Sequence, residues 1–246
     1  MSESYRAICS DYYVNQKLSL KMELPRGRET VLELFERVRR QFPTMATFRR
    51  FRDELSLESP QTETPHRWVS VRGNTIRSGA VNPVTLGGAH SIHQHVLEVA
   101  PYYLNISPLD VDYIELLFGF DLAAPGNHDA IVFEALLAGS PLGRLLETPG
   151  VSLIDCQPLV GLAVGQRGDL EVHFEVKTRA GSQQPQREGE PATDPISVYL
   201  TLRKFGAVSD VKDLALVFNR LAEHGEELVE SRLVPTVLLP IREAIS

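Results

Sequence analysis

The feature that most constrains this chain is a strand–turn–helix pattern that occurs twice, first near residue 14 and again near residue 114. The first copy is the alternating run YYVNQKLSLKMEL, followed by a Pro-Arg-Gly turn and an apolar helical run from Val31 to Val38. The second copy is VDYIELLFGFDLA, followed by a Pro-Gly-Asn turn and a helical run that begins near His128. Strands repeat every two residues and helices every 3.6, so each copy predicts a strand covered by a helix. Two such copies indicate a duplicated α+β fold.

Two later runs, DLEVHFEVK and ISVYLTLRK, alternate apolar with polar residues, which is typical of antiparallel strands with one solvated face. Each half of the chain then follows the order β-α-β-β-(β)-α. We therefore predict an α+β protein of two related halves, residues 1–106 and 107–246, whose largely antiparallel sheets are covered by helices. Within this plan TFRRFRDELSLES is expected to be one strand, and Pro235 and Pro240 are expected to break the C-terminal tail. The polar run from about 180 to 195 predicts a mobile hairpin loop.

In outline this order resembles folds built from duplicated βαββ units, such as the GyrI-like and SOUL proteins. It also resembles folds built from β-α-β-β-β-β-α units, such as the TATA-binding protein. The likeness is one of architecture, and the residues contain no motif of either family. The resemblance therefore implies neither a ligand nor a partner.

Charge and cysteine content narrow the class of protein. The formal net charge of -7 argues against nonspecific binding of nucleic acid or of an anionic membrane, because a polyanion would be repelled on average. Two cysteines are too few for a disulfide framework and fit a reducing compartment. The chain has no secretory signal pattern and no apolar run of about 18 residues. These features predict a cytoplasmic protein without a membrane span.

An arginine-rich segment surrounds the first predicted helix. Guanidinium groups bind phosphate and carboxylate bidentately, so an anion or an acidic protein partner is one interpretation. The other is a solvated face on which Glu33 pairs with Arg37, and Glu36 pairs with Arg39 or Arg40, as helical neighbours do. The candidate patch for an anion or acidic partner comprises Arg37, Arg39, Arg40, Arg49, Arg50 and Arg52.

The histidines His90, His93 and His95 form the one ligand-like cluster in the sequence. A helix would bring His90 and His93 to one face, whereas a strand would bring His93 and His95 together. Neither arrangement supplies three convergent metal ligands, so a capping or surface role is the plainer interpretation. We expect no metal and no cofactor.

Four residues are candidates for ligand binding. Glu115 interrupts the apolar central strand, where desolvation would raise the pKa of a carboxyl that faces a cavity. Tyr113 precedes it on the same strand, and His173 and Tyr199 lie on the polar faces of the two later strands. All four are predicted to line a groove between the two halves.

The sequence contains no Gly-x-Ser-x-Gly elbow, P-loop, dinucleotide fingerprint or His-Glu-x-x-His motif, which favours a non-catalytic role. The leading hypothesis is a binding or interaction protein that holds a small ligand or an acidic protein partner in the groove, with nucleic acid disfavoured. One alternative is an enzyme using Glu and His acid–base chemistry in the same groove. Another is a subunit of a larger assembly or an oligomer, in which exposed sheet edges pair between chains.

Overall fold

Nine β-strands occur in the computed structural model, which describes residues 5–24, 28–147, 149–150, 153–165, 168–178 and 194–246. The strands are β1 (Asp11–Leu20), β2 (Thr47–Arg50), β3 (Glu54–Glu58), β4 (His66–Arg72), β5 (Thr75–Val81), β6 (Val111–Leu122), β7 (Leu159–Val164), β8 (Leu170–Lys177) and β9 (Ile196–Phe205). They form one antiparallel sheet in the order β2-β3-β4-β5-β1-β6-β9-β8-β7. Most of the predicted loop near 180–195, namely residues 180–193, lies outside the described residues.

Five α-helices of seven residues or more lie within the described ranges: α1 (Arg28–Gln41), α2 (Leu86–Tyr103), α3 (His128–Leu136), α4 (Asp213–Leu228) and α5 (Leu239–Ile245). Side-chain caps start two of them, because the first amide groups of a helix have no partner within it. The Thr85 hydroxyl accepts from the Gly88 amide at 3.0 Å, and the Asn127 side chain accepts from the Ala130 amide at 3.1 Å. Short 3₁₀ turns occur at Pro108–Asp110 and Pro141–Leu146. No helix in the described ranges is long and apolar enough to cross a membrane.

The two halves follow the same plan. In each, the first strand is followed by a helix, a meander and a second helix, and the first strand pairs with the last strand of the meander. The N-terminal half pairs β1 with β5, and the C-terminal half pairs β6 with β9. The α+β class and the antiparallel pairing are thus confirmed, although the halves share one sheet through β1 and β6. The division at residues 106 and 107 into two units stays a prediction.

The core lies between one face of this sheet and the helices α2 and α4. On β6 the buried side chains are the alternate residues Ile114, Leu116, Phe118 and Phe120. Gly225 of α4 lies so close to the ring of Phe118 that a side chain there would overlap it. Alternation along the strands therefore separates an apolar face, packed by helices, from a second face.

The C-terminal tail differs from the prediction that prolines would break it. From Val229 to Leu238 the chain continues helically with π-type bonds, and α5 follows directly. Pro235 has no amide proton, and its ring would clash with the carbonyl four residues earlier in an α-helix. The wider turn carries the chain past this residue, as the bond from the Leu239 amide to the Val234 carbonyl shows.

A buried polar cluster lies beneath α2. His93 Nδ1 is 2.8 Å from the Ser78 hydroxyl, which is 3.0 Å from the amide group of Gln16. His93 and His90 both pack their rings against Phe218 of α4. Burial lowers the pKa of His93 to about 3 and the pKa of His90 to about 4, because the charged imidazolium would be desolvated. The fold therefore holds both rings neutral at ordinary pH.

This burial predicts acid sensitivity. An unfolded chain binds protons on histidine below about pH 6.5, while the folded chain does not until pH 4 or 3. The free energy of unfolding should be highest above pH 6.5 and fall as the pH drops, by up to about 1.4 kcal/mol per pH unit for each histidine. His93→Gln should lower stability at pH 7 by about 1–2 kcal/mol through lost packing, yet make the acid slope shallower.

Urea denaturation at a series of pH values measures this slope. His224→Gln is the matched control, because that side chain is 35% exposed on α4, and it should keep the wild-type slope. Equal slopes for the wild type and H93Q would contradict the burial argument.

Candidate functional site

The sheet face that points away from α2 and α4 is the candidate site, and we call it the open face. Its residues are the strand positions that alternate with the buried core positions, for example Tyr113, Glu115 and Leu117 on β6. Residues that lie opposite each other in neighbouring strands point to the same side of the sheet. Lys17, for example, lies opposite Glu115, which lies opposite Arg203, so all three belong to the open face. The open face is therefore a continuous surface that extends over both halves of the chain.

The structure brings all four predicted ligand-binding residues to this face. Tyr113 and Glu115 lie on β6, Tyr199 on β9 and His173 on β8. The pairs Gly119 with Tyr199 and Glu175 with Tyr199 set the register that places them on one side of the sheet. Alternation within β8 and β9 had indicated a solvated face on each, and the antiparallel pairing joins these faces to the one that carries Tyr113 and Glu115 on β6.

The site differs from the prediction in its shape. The sequence had suggested a groove between the two halves, but the halves meet in a ladder that runs from Asp11 opposite Asp121 to Leu20 opposite Val111. Backbone hydrogen bonds thus occupy the boundary between the halves. The four candidate residues lie on a sheet surface that crosses this boundary.

Glu115 is held by an arginine rather than by a cavity. Its Oε2 atom accepts from Arg203 Nε at 2.8 Å and from Arg203 Nη2 at 2.5 Å. The guanidinium also lies 4.8 Å from the ring centre of Tyr113 and 5.8 Å from that of Phe205. Charge pairing and ring contact together fix the orientation of Arg203 at the surface.

The same combination of rings and cations recurs across the open face. Lys17 Nζ donates to the Tyr113 hydroxyl at 2.7 Å and lies 5.1 Å from the ring centre. Arg77 lies 5.5 Å from the ring centre of Trp68, on the N-terminal half. Lys177 lies 5.8 Å from the ring centre of Tyr199, on the C-terminal half. Aromatic and cationic side chains therefore cover both halves in one pattern.

A hydrogen-bonded group crosses the boundary between the halves. The Tyr13 hydroxyl of β1 donates to Asp121 Oδ1 at 3.2 Å, and the Ser197 hydroxyl donates to the same oxygen at 2.7 Å. Burial, a hydrogen bond with Tyr199 and the Asp121 charge raise the pKa of Tyr13 well above its usual range. Tyr13 therefore stays protonated and links the two halves as a donor.

Aromatic rings lie close over glycines at three places on the open face. A side chain on Gly79 would overlap the ring of Trp68, and one on Gly119 would overlap the ring of Tyr13. A Cβ atom on Gly161 would lie 3.2 Å from the ring of His173. Glycine within a strand marks such close approach, and cross-strand aromatic pairs stabilise it. The rings consequently cover the glycine positions of the neighbouring strands.

The charges of the open face nearly balance. Its strand residues include six cations and seven carboxylates, and three of the carboxylates pair with cations of the face: Glu58 with Arg49 at 3.2 Å, Glu175 with Lys177 at 3.2 Å and Glu115 with Arg203 at 2.5 Å. A nearly balanced surface creates no strong field for a polyanion. The cations are Lys17, Arg49, Arg72, Arg77, Lys177 and Arg203, and the carboxylates are Asp11, Glu54, Glu58, Glu115, Asp121, Glu171 and Glu175.

The predicted arginine patch is not gathered into one surface. Arg39 and Arg40 bracket Glu36 on α1 at 2.9 and 3.6 Å, which confirms the helical pairing of this glutamate. Arg37 is exposed on the same helix, near His95. Arg49 lies on the open face, whereas Arg50 and Arg52 line a pocket of about 560 Å³ beside the β2–β3 turn. The patch therefore divides among three places.

The three histidines of the sequence cluster also separate. His90 and His93 face Phe218 inside the core, while the ring of His95 packs against Phe42 with 5.9 Å between centres. Among the residues that the structure describes, no group of three or more His, Cys, Asp and Glu side chains could hold a metal ion. The cluster thus contributes to packing.

Two pockets in the part of the chain that the structure describes lie away from the predicted ligand-binding residues. One of about 400 Å³ is lined by Phe133, Leu146 and Leu153, beside α3, and the other is the pocket of about 560 Å³ beside the β2–β3 turn. Neither is lined by a predicted ligand-binding residue. The features that distinguish the open face are its rings and charges.

Sequence reasoning missed several open-face residues, above all Tyr13, Lys17, Trp68 and Arg203. Their identity alone gave no reason to group them, because they lie on three different strands that are far apart in the sequence. The glycines within strands were the available signal, since a glycine inside an alternating run indicates close approach by a neighbouring side chain.

Comparisons with known proteins leave the function open. No family model and no curated protein matches the chain. Among solved structures, the chain has a remote likeness to the crystal structure of the di-domain ARO/CYC BexL from the BE-7585A biosynthetic pathway. The identity is 12%, the match covers 78% of this chain and 76% of that chain, and the TM-score is 0.20. A likeness at this level carries no argument about function.

Because aromatic rings lie over Gly79 and Gly119, replacing either glycine by alanine should lower the stability of the fold. Gly79→Ala and Gly119→Ala should each destabilise the fold by about 1–3 kcal/mol, because the added methyl group must displace the ring of Trp68 or Tyr13. Gly87→Ala in α2 is the matched control, since nothing lies within 4 Å of its Cβ position and alanine favours a helix. Urea denaturation compares the three variants. If G79A and G119A were as stable as G87A, the rings would not lie over these glycines.

Proposed function

We propose that this protein is a non-catalytic binding protein that recognises a protein partner with the open face. The observation that carries the proposal is the pattern of rings and cations that extends over both halves of one sheet. Tyrosine, tryptophan and arginine are the residues that most often dominate the binding energy of protein interfaces. Tyr113, Tyr199, Trp68 and Arg203 supply them here.

The dimensions of the face suit a protein better than a small molecule. Nine strands give eight spacings of about 4.8 Å, so the sheet is about 38 Å wide. A standard interface buries about 800 Å² on each partner, which a surface of this width provides. Small ligands, in contrast, are held in concave pockets that bury most of their surface.

The charge pattern favours a partner of mixed charge. Glu115 with Arg203 and Arg49 with Glu58 already neutralise one another, so a strongly acidic partner gains little from the face. A nucleic-acid backbone gains less, because the chain as a whole carries -7. Contact through rings and aliphatic stems, with polar groups at the margin, is the mode that this surface supports.

Acid–base catalysis receives less support from the same geometry. Glu115 is engaged by Arg203, and His173 lies two strands and two residues away, which puts their Cα atoms about 12 Å apart. General acid–base chemistry requires both groups within reach of one substrate. Binding therefore remains the better-supported function.

Matched tyrosine variants test the proposal. The immobilised wild type should capture at least one specific protein from lysate, and Tyr113→Ala or Tyr199→Ala should weaken that capture roughly 30-fold, as loss of a central aromatic contact does. Tyr102→Ala removes an equally large side chain that is 63% exposed on α2, away from the open face, and should leave capture unchanged. Quantitative mass spectrometry of the bound fraction is the measurement.

Thermal unfolding of each variant confirms that the fold is retained before binding is compared. A partner that is retained by folded Y113A and Y199A but lost by Y102A would contradict the proposal. Equal capture by all three variants would contradict it as well.

A further inference from the structure

We propose that two copies of this chain associate through the outer edge of β7, which pairs with itself about a twofold axis. This inference concerns a sheet edge and is independent of the partner proposed for the open face. It rests on the backbone of β7, on the residues that this strand exposes and on the contrast with the opposite edge of the sheet.

The backbone of β7 has one side available for pairing. Strand β7 ends the sheet, and β8 is its neighbour among the described residues. The Pro158 carbonyl accepts from the Val176 amide of β8 at 2.9 Å, which fixes the alternation of the ladder. The amide and carbonyl groups of Leu159, Gly161 and Ala163 therefore point outward, away from β8. An edge of this kind is a template for another strand.

The side chains of β7 include none of the types that usually prevent an edge strand from pairing with another chain. Its sequence, LVGLAV, contains no charged residue and no proline, which are the usual means of blocking an edge strand. Leu159, Val160 and Leu162 are 58%, 54% and 48% exposed, on both faces of the strand. Three large apolar side chains within four residues, at an edge that no other described strand pairs with, favour burial against another chain.

The opposite edge of the sheet is protected by charge. Strand β2 has four residues, and two of them are Arg49 and Arg50. Helix α1 also packs on β2, with 6.1 Å between the ring centres of Phe35 and Phe48. In the C-terminal half the corresponding helix, α3, packs against α5. The β2 edge therefore carries positive charge and is packed by α1, whereas the β7 edge is uncharged.

This contrast identifies a second copy as the occupant. Pairing of β2 with its own copy would bring like-charged arginines together, and pairing of β2 with β7 would leave free edges at both ends and produce filaments. Pairing of β7 with β7 is self-complementary, brings no charges together and closes the assembly at two copies. The basic β2 strands then form both ends of the joined sheet.

The sequence of β7 defines the register. With the axis at Gly161, two kinds of pair form on the open face. Gly161 lies opposite Gly161 of the other copy, and Leu159 lies opposite Ala163, so each large residue meets a small one. On the helix side, Val160 of one copy lies opposite Leu162 of the other. This antiparallel arrangement uses every outward amide and carbonyl of the strand.

Self-association of the full chain, measured by sedimentation equilibrium, tests the proposal. Ala163→Pro removes an outward amide and leaves the bonds to β8 intact, so it should weaken dimerisation roughly tenfold or more, since hydrogen bonds are lost at two symmetry-related positions. Ala163→Thr is the matched control, because it keeps the amide and favours a strand, and it should remain dimeric. A thermal transition of A163P that matches the wild type at a protein concentration too low for dimerisation would show that the monomer is intact.

A charge exchange tests the register. V160E and L162K alone should each weaken the dimer, because each buries a charge against an apolar residue of the other copy. The double variant sets opposite charges across the axis and should restore association at least in part. A wild type that stays monomeric, a dimer indifferent to A163P, or a double variant no better than V160E alone would overturn the proposal.

Discussion

The pairing of β1 with β6 is the constraint on which the rest of the structure depends. Strand β1 also pairs with β5, and β6 also pairs with β9, so these two central strands join nine strands into one sheet. Their register decides which side chains share a face. Val14 and Phe118 point to the helices together, whereas Lys17 and Glu115 point to the open face together. A slip of one residue would exchange the two faces, which makes the register a property of the core.

The helix-packed face of the sheet stabilises the fold, whereas the open face is arranged for the proposed binding. The former buries aliphatic and aromatic side chains, together with neutral histidines at a depth where charge is costly. The latter uses rings laid over glycines and cations placed over rings, which hold long side chains in defined positions before any partner arrives. Such preorganisation lowers the ordering cost of binding. The surface is therefore stiff where recognition is proposed, although it lies at the exterior.

Much of this architecture could be predicted from alternation. The strands β8 and β9 have clear periods of two, and for that reason His173 and Tyr199 were assigned to polar faces that the structure joins. Tyr113 and Glu115 were assigned to a largely apolar strand, β6, and the structure places them on the same face as the other two. The hairpin of β2 and β3 was predicted as one strand, because its turn near Phe51 has neither glycine nor proline. The helical path through Pro235 was missed because a π-type turn has no sequence signal comparable to the usual effect of proline.

Register and shared surfaces are harder to predict, because they depend on pairing between distant strands. The partnership of Arg203 with Glu115 joins residues 88 positions apart, and the link from Tyr13 to Asp121 joins residues 108 positions apart. A duplicated pattern is compatible both with two packed sheets and with one joined sheet. The sequence favoured a groove at the boundary because a boundary between halves is a common place for a ligand site. The edge-to-edge ladder replaced that groove with a continuous face.

Native-state hydrogen exchange tests the central claim, that the halves are one sheet joined at β1 and β6, most directly. If the claim is correct, amides of β1 and β6 open only in the global unfolding transition and share the highest free energy of exchange in the protein. Amides of β5 and β9, their outer neighbours, should follow at equal or lower free energies. The account would be contradicted if β1 and β6 exchanged with clearly different free energies, each together with its own half, because the two halves would then unfold as separate units.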